Sequence, residues 1–130
     1  MKSSELMVGD WVYRNSEPAM VLSVGDNDNC TVKMQSGRVC GEACSELNYI
    51  YLTKELLESN GFKLVGSATS YWKLETDSKC TILITACEKI TIYKPFLYGY
   101  RRVVDEIEMR CLHELQHLLE MCHIKLDWKL

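Results

Sequence analysis

No stretch of the 130-residue chain is long and apolar enough to span a bilayer, and the opening Met1-Lys2-Ser3-Ser4-Glu5-Leu6 lacks the apolar run of a signal peptide. Both absences point to the cytoplasm. A basic excess is missing too. The formal net charge is −3, which argues against a generic nucleic-acid-binding surface but leaves room for a local basic patch. The seven cysteines, Cys30, Cys40, Cys44, Cys80, Cys87, Cys111 and Cys122, include no Cys-x-x-Cys pair. An odd set without tight pairs suits neither a disulfide framework nor structural zinc, and Cys40-Gly41-Glu42-Ala43-Cys44 is too widely spaced for a knuckle. Free, mostly buried thiols are expected. There is no Gly-x-Ser-x-Gly elbow, no Gly-rich phosphate loop before a helix, no internal repeat and no low-complexity segment.

What is present is an ordinary core composition, 47% hydrophobic, in a chain of single-domain length. The first part alternates short apolar runs with polar turns. Strands are expected over residues 6–14, 19–24, 30–34, 38–40 and 47–52, with turns at Gly9-Asp10, at Gly25-Asp26-Asn27-Asp28-Asn29 and at Gln35-Ser36-Gly37. Five short strands with tight turns suggest a small, half-open SH3-like barrel over residues 1–52. A short helix over 54–59 follows, with Thr53 as N-cap, Leu52 and Leu57 placed as a staple, and Asn60-Gly61 as a left-handed stop.

Residues 62–65, 71–75, 81–86 and 89–93 read as an antiparallel meander, with turns at Gly66-Ser67-Ala68, Thr76-Asp77-Ser78 and near Cys87-Glu88. Ile82, Ile84 and Ala86 share one face of the third strand, and of Tyr71 and Trp72 only one can face the core. Pro95 and Gly99 are expected to keep 94–100 irregular. From about Arg102 to Cys122 the apolar spacing turns helical, with Val104, Ile107, Cys111, Leu115, Leu118, Leu119 and Cys122 as the buried stripe. Ile124, Leu126 and Trp128 alternate with charged residues, as in a closing edge strand. The fold class is α+β: a β subdomain at 1–52 and an α+β subdomain at 53–130, readable also as one continuous domain.

Within the last helix, His113-Glu114-Leu115-Gln116-His117 matches the His-Glu-x-x-His signature of zinc peptidases. His113 and His117 fall within about 40° of each other on the helical wheel, and roughly 160° from Leu115, so they are expected on the water-facing side. A zinc peptidase needs its ligand face in a cleft with groups supporting each imidazole. The glycine that turns the chain toward a third ligand is replaced by Glu120, which swings His123 away. His113 and His117 are therefore weak metal candidates, no cofactor is expected, and a zinc-dependent hydrolase is a minor alternative. Cys111 and Cys122 are read as core.

The segment Tyr93-Lys94-Pro95-Phe96-Leu97-Tyr98-Gly99-Tyr100-Arg101-Arg102 holds four aromatics, three cations and no acid. Tyrosine and arginine dominate binding hot spots and also stack on bases or pair with phosphates. Tyr93, Lys94, Phe96, Tyr98, Tyr100, Arg101 and Arg102 are the candidate partner-binding residues. Tyr71-Trp72-Lys73 is a weaker second patch.

Three stretches, residues 5–13, residues 50–62 and Leu112-His113-Glu114-Leu115-Gln116, resemble in order and spacing a group of small proteins of Bacteroides-type bacteria, their prophages and mobile elements. The last helix of that group reads Tyr-Val-His-x-Leu-Gln-Asn. Cys111 here stands at the tyrosine position and His117 at the asparagine position, so the group's pattern lacks the second zinc ligand. The resemblance implies a non-enzymatic phage or mobile-element accessory protein that binds host machinery, such as an inhibitor of a bacterial defence nuclease of the CRISPR type. The expected partner is a protein, such as a nuclease or its RNA, with no membrane and no small-molecule substrate. An RNA- or DNA-binding module is the alternative.

Overall fold

The computed structural model of the chain describes residues 1–66 and 70–130; the turn expected at Gly66-Ser67-Ala68 lies in part outside them. The architecture is α+β. Ten strands form two antiparallel sheets, accompanied by two α-helices, and the chain divides into two compact units.

The first unit comprises 1–51 together with 111–117. Its sheet contains β1 (Trp11–Arg14), β2 (Glu17–Val24), β3 (Asn29–Met34), β4 (Val39–Ala43) and the two-residue β5 (Leu47–Asn48), in the order β4-β3-β2-β1-β5. Asn15 and Ser16, both at positive φ (50° and 64°), close the β1–β2 hairpin in the twist-compatible geometry that asparagine tolerates. Val12, Ala19, Val21, Cys30, Val32, Met34, Cys44 and Leu47 point to one side and form a single buried cluster with Leu6. The sheet is open: among the described residues no pairing of β4 with β5 closes it. The expected fifth strand over 47–52 is cut to two residues. Beyond Asn48 the chain instead meets the segment at 111, with a bridge from Tyr51 to Cys111 and the Leu112 N–H donating to the Ile50 carbonyl at 2.7 Å.

The second unit comprises 52–110 and 118–130. Helix α1 (Lys54–Ser59) is built as its sequence signals require. The Thr53 hydroxyl accepts from the Leu56 N–H at 3.2 Å, and Gly61, at φ +86°, ends the helix with the Phe62 N–H reaching back to the Leu57 carbonyl and the Gly61 N–H to that of Glu58. Strands β6 (Lys63–Val65), β7 (Tyr71–Glu75), β8 (Thr81–Thr85), β9 (Lys89–Phe96) and β10 (Gly99–Glu108) form a meander in chain order. Trp72 opposes Ile84, which opposes Ile90; Ile82 opposes Ile92, which opposes Val104. These rows are buried, whereas Tyr71 and Leu83 on the other face are half-buried.

Three expectations for the C-terminal part are corrected. The helical period read from about Arg102 belongs to a strand as far as Glu108, and the last helix, α2, spans only Leu112–Met121. The reason is a pair of bulges. β10 shifts register between Arg102 and Val104 and again between Val104 and Ile107, so Val104 opposes Ile92 and Ile107 opposes Ile90. One inserted residue turns a two-residue strand spacing into a three-residue one, which imitates a helix. The segment expected to be irregular is likewise ordered, since β9 runs through Pro95 to Phe96 at the sheet edge and only Leu97-Tyr98 turn the hairpin.

The closing strand over 124–128 is also absent among the described residues. Its alternation is real but serves docking without a ladder. Ile124 is buried, Trp128 stacks on Phe62 with centroids 6.4 Å apart, and the Asn60 side chain holds Lys129 by both its N–H and its carbonyl.

Candidate functional site

In the His-Glu-Leu-Gln-His stretch, His113 and Leu115 are buried and Gln116 and His117 contact the stretch before β1. Leu112, His113 and Leu115 are buried, His113 at 3% exposure, while Glu114 is exposed. In the first turn of α2, which begins at Leu112, His113 is enclosed against Tyr49 and His117 of the same unit. That enclosure overturns the outward placement of His113; His117 is half-buried.

Each buried or half-buried polar side chain of the stretch has a hydrogen-bond partner except one. The Gln116 amide bridges the stretch before β1, accepting from the Trp11 N–H at 2.9 Å and donating to the Gly9 carbonyl at 3.0 Å. It occupies the place of a neighbouring strand's peptide group, so the outer backbone of Gly9 and Trp11 is satisfied by a side chain. His117 Nε2 lies 2.7 Å from Asp10 Oδ2 and 2.9 Å from Oδ1. Asp10 is itself only 2% exposed, and its Oδ2 also accepts from the Met7 N–H at 2.8 Å. A buried carboxylate with two donors is adequately compensated.

His113 is the exception. Its ring stacks on Tyr49 (centroids 5.4 Å, planes 14° apart) and meets the edge of His117 at 5.7 Å. Its Nδ1 is fully enclosed and has no hydrogen-bond partner among the described residues. Burial pushes the imidazole below its ordinary value; the Asp10 carboxylate opposes that shift and His117 adds to it. Glu5, Tyr49, Cys111, His113, Glu114 and His117 line a shallow cavity of about 290 Å³ here. All six are titratable, and the Tyr49 hydroxyl donates to Glu5 at 3.3 Å.

In this geometry the His117 Nε2 lies against the Asp10 carboxylate, the His113 Nδ1 is enclosed, and among the described residues no three His, Cys, Asp or Glu side chains cluster as metal ligands.

The second candidate is the hairpin of β9 and β10. β8 begins at Thr81, opposite Tyr93, so beyond that point the two strands continue as a finger without a third partner. Its tip is apolar and open to solvent: Phe96, Leu97, Tyr98 and Tyr100 are exposed, Leu97 by 84% and Tyr98 completely. Leu97 adopts φ +46°, a left-handed conformation that costs a branched side chain of the order of 1 kcal/mol. The arginines stiffen the stem. Arg101 lies over the Phe96 ring at 5.6 Å and Arg102 over the Tyr93 ring at 5.4 Å, with Arg102 also donating to the Tyr93 hydroxyl at 3.0 Å and to Asp105 at 3.2 Å. Lys94 points elsewhere, donating to the Cys122 carbonyl at 2.6 Å. The segment thus brings six of its seven named residues together along one finger and turns Lys94 back to its own unit.

No local pattern signals the Asp10–His117 pair, because its members lie 107 residues apart in the chain. Cys30, Cys40, Cys44, Cys80, Cys87 and Cys122 are free thiols, and Cys30, Cys44, Cys80 and Cys111 are buried. Burial pushes the Cys30 thiol up to about 12, with Cys44 beside it. No helix among the described residues is long and apolar enough to cross a membrane. Comparison of the chain with protein-family models, with curated proteins and with solved structures returns no match.

Proposed function

We propose that the chain is a non-enzymatic binding protein that engages a protein partner through the β9–β10 finger. One observation carries this reading: four large apolar side chains, Phe96, Leu97, Tyr98 and Tyr100, stand exposed at the end of a two-stranded projection whose backbone is strained at Leu97. Contiguous apolar surface of this kind is costly in water unless something covers it. Tyrosine and arginine on a stiff stem lose little conformational freedom on binding, which is the property of hot-spot residues. Arg101 and Arg102 are the cations on the stem, so an acidic surface around an apolar recess complements the finger.

The resemblance to proteins of phages and mobile elements supports a host-directed accessory role, and inhibition of a defence nuclease is the form we favour. Free thiols at Cys30, Cys40, Cys44, Cys80, Cys87 and Cys122 fit the cytoplasm. The same cations and aromatics favour a second reading, an RNA or DNA strand stacked on the finger.

The test is a set of alanine replacements at Tyr98, Tyr100, Arg101 and Arg102. Retention of a specific partner from infected-cell or host lysate, scored against the wild type, is expected to disappear while the melting temperature stays put. Undiminished retention would refute the assignment. A nucleic-acid ligand would instead show affinity falling steeply with salt.

A further inference from the structure

We infer that the His113 cluster is a proton-operated latch that holds the 111–117 segment on the first sheet at neutral pH and releases it in mild acid. The geometry of one nitrogen carries the argument. In a neutral imidazole the single proton can sit on Nε2, leaving at the enclosed Nδ1 only a lone pair, which costs little to bury. A second proton must go to Nδ1. There it creates a charged N–H with no acceptor among the described residues, at an atom with almost no surface open to solvent.

Every charged or titratable group around the ring is accounted for. Asp10, on the stretch before β1, is the one buried acid, and its oxygens already serve the Met7 N–H and His117. Glu5 is exposed and takes the Tyr49 hydroxyl; Glu114 is exposed on the next residue of the helix. Tyr49 offers its ring face, and Cys111 a buried thiol. His117 presents its ring edge and would add repulsion whenever it also carries charge. Burial acts in the same direction, holding His113 below its ordinary value. The cation can find partners only if the ring leaves its seat, and the first turn of α2 leaves with it.

The rest of the first unit has no part in this. Its core cluster of Leu6, Val12, Ala19, Val21, Cys30, Val32, Met34, Cys44 and Leu47 contains no histidine. Release is therefore local: 111–117 detaches while β2 and β3 stay paired.

Amide hydrogen exchange on the full-length chain, corrected for intrinsic rates at each pH, reads this directly. Between pH 7 and pH 5 the amides of Leu112 to His117 are expected to lose protection by tenfold or more, with Val21 and Val32 unchanged. In His113→Phe, whose ring keeps the Tyr49 stack and takes no proton, protection at pH 5 should match that at pH 7. If that variant does not fold, His113→Gln serves the same purpose. Unchanged protection in the wild type, equal loss in the variant, or equal loss at Val21 and Val32 would each overturn the latch.

Discussion

Asp10 and His117 are 107 residues apart in the chain, yet the imidazole Nε2 sits within hydrogen-bond distance of both carboxylate oxygens, at 2.7 and 2.9 Å. With Gln116 bridging Gly9 and Trp11, this contact ties the start of the first sheet to the first turns of α2. The stretches Gly9-Asp10-Trp11 and Gln116-His117 are thereby brought into contact. Within the His-Glu-Leu-Gln-His stretch, Gln116 and His117 form a structural clasp.

Removing the carboxylate should expose the value of that clasp. Asp10→Ala leaves the Met7 N–H and the His117 ring without their acceptor in a buried position. A loss of about 2 kcal/mol in urea unfolding is expected, the usual range for a hydrogen bond to a charged group. A change below about 0.5 kcal/mol, the size typical of neutral surface substitutions, would mean the pair is incidental.

Gln116 discriminates between packing and hydrogen bonding. Gln116→Glu keeps the acceptor for the Trp11 N–H but turns the donor to Gly9 into a second acceptor, placing two oxygens face to face. The glutamate variant should lose about 1–2 kcal/mol near neutral pH and recover part of it in acid as the carboxyl gains a proton. A variant as stable as wild type at pH 7 would contradict the bridging geometry.

Much of the fold can be read from local patterns. The Thr53 cap, the Gly61 stop and the alternation of Ile82 and Ile84 all report on neighbours a few residues away, and all appear as the sequence suggests. Failures come where the cause is non-local. The bulges of β10 disguise a strand as a helix, and the enclosure of His113 depends on Tyr49 and Asp10, which no periodicity in the helix could announce. The tail from Ile124 keeps its alternation but finds Asn60 and Phe62 in place of a neighbouring strand.

Stability should fall in acid, and the sign follows from burial. The folded state holds His113 below the value it has when unfolded, so near and below that ordinary value the unfolded chain binds more protons. The contribution of neutral His113 is fully present above about pH 6.5 and is lost as pH drops through the lowered folded value. Thermal melts of wild type between pH 8 and pH 5 should fall more steeply than those of His113→Phe. Parallel curves would assign the acid sensitivity to other groups.

Leu97 separates stability from binding in a single position. Its φ of +46° is strained for leucine and comfortable for glycine, and its side chain is 84% exposed, so nothing in the fold needs it. Leu97→Gly should raise stability, or at least leave it within about 0.5 kcal/mol once the added flexibility of the unfolded glycine is counted. If the finger is a binding element, the same variant should weaken partner retention, because the exposed leucine is the cost the fold accepts for contact. A variant that is no less stable and binds as well as wild type would leave the strain at Leu97 without a purpose and would move the search for the contact surface away from the tip.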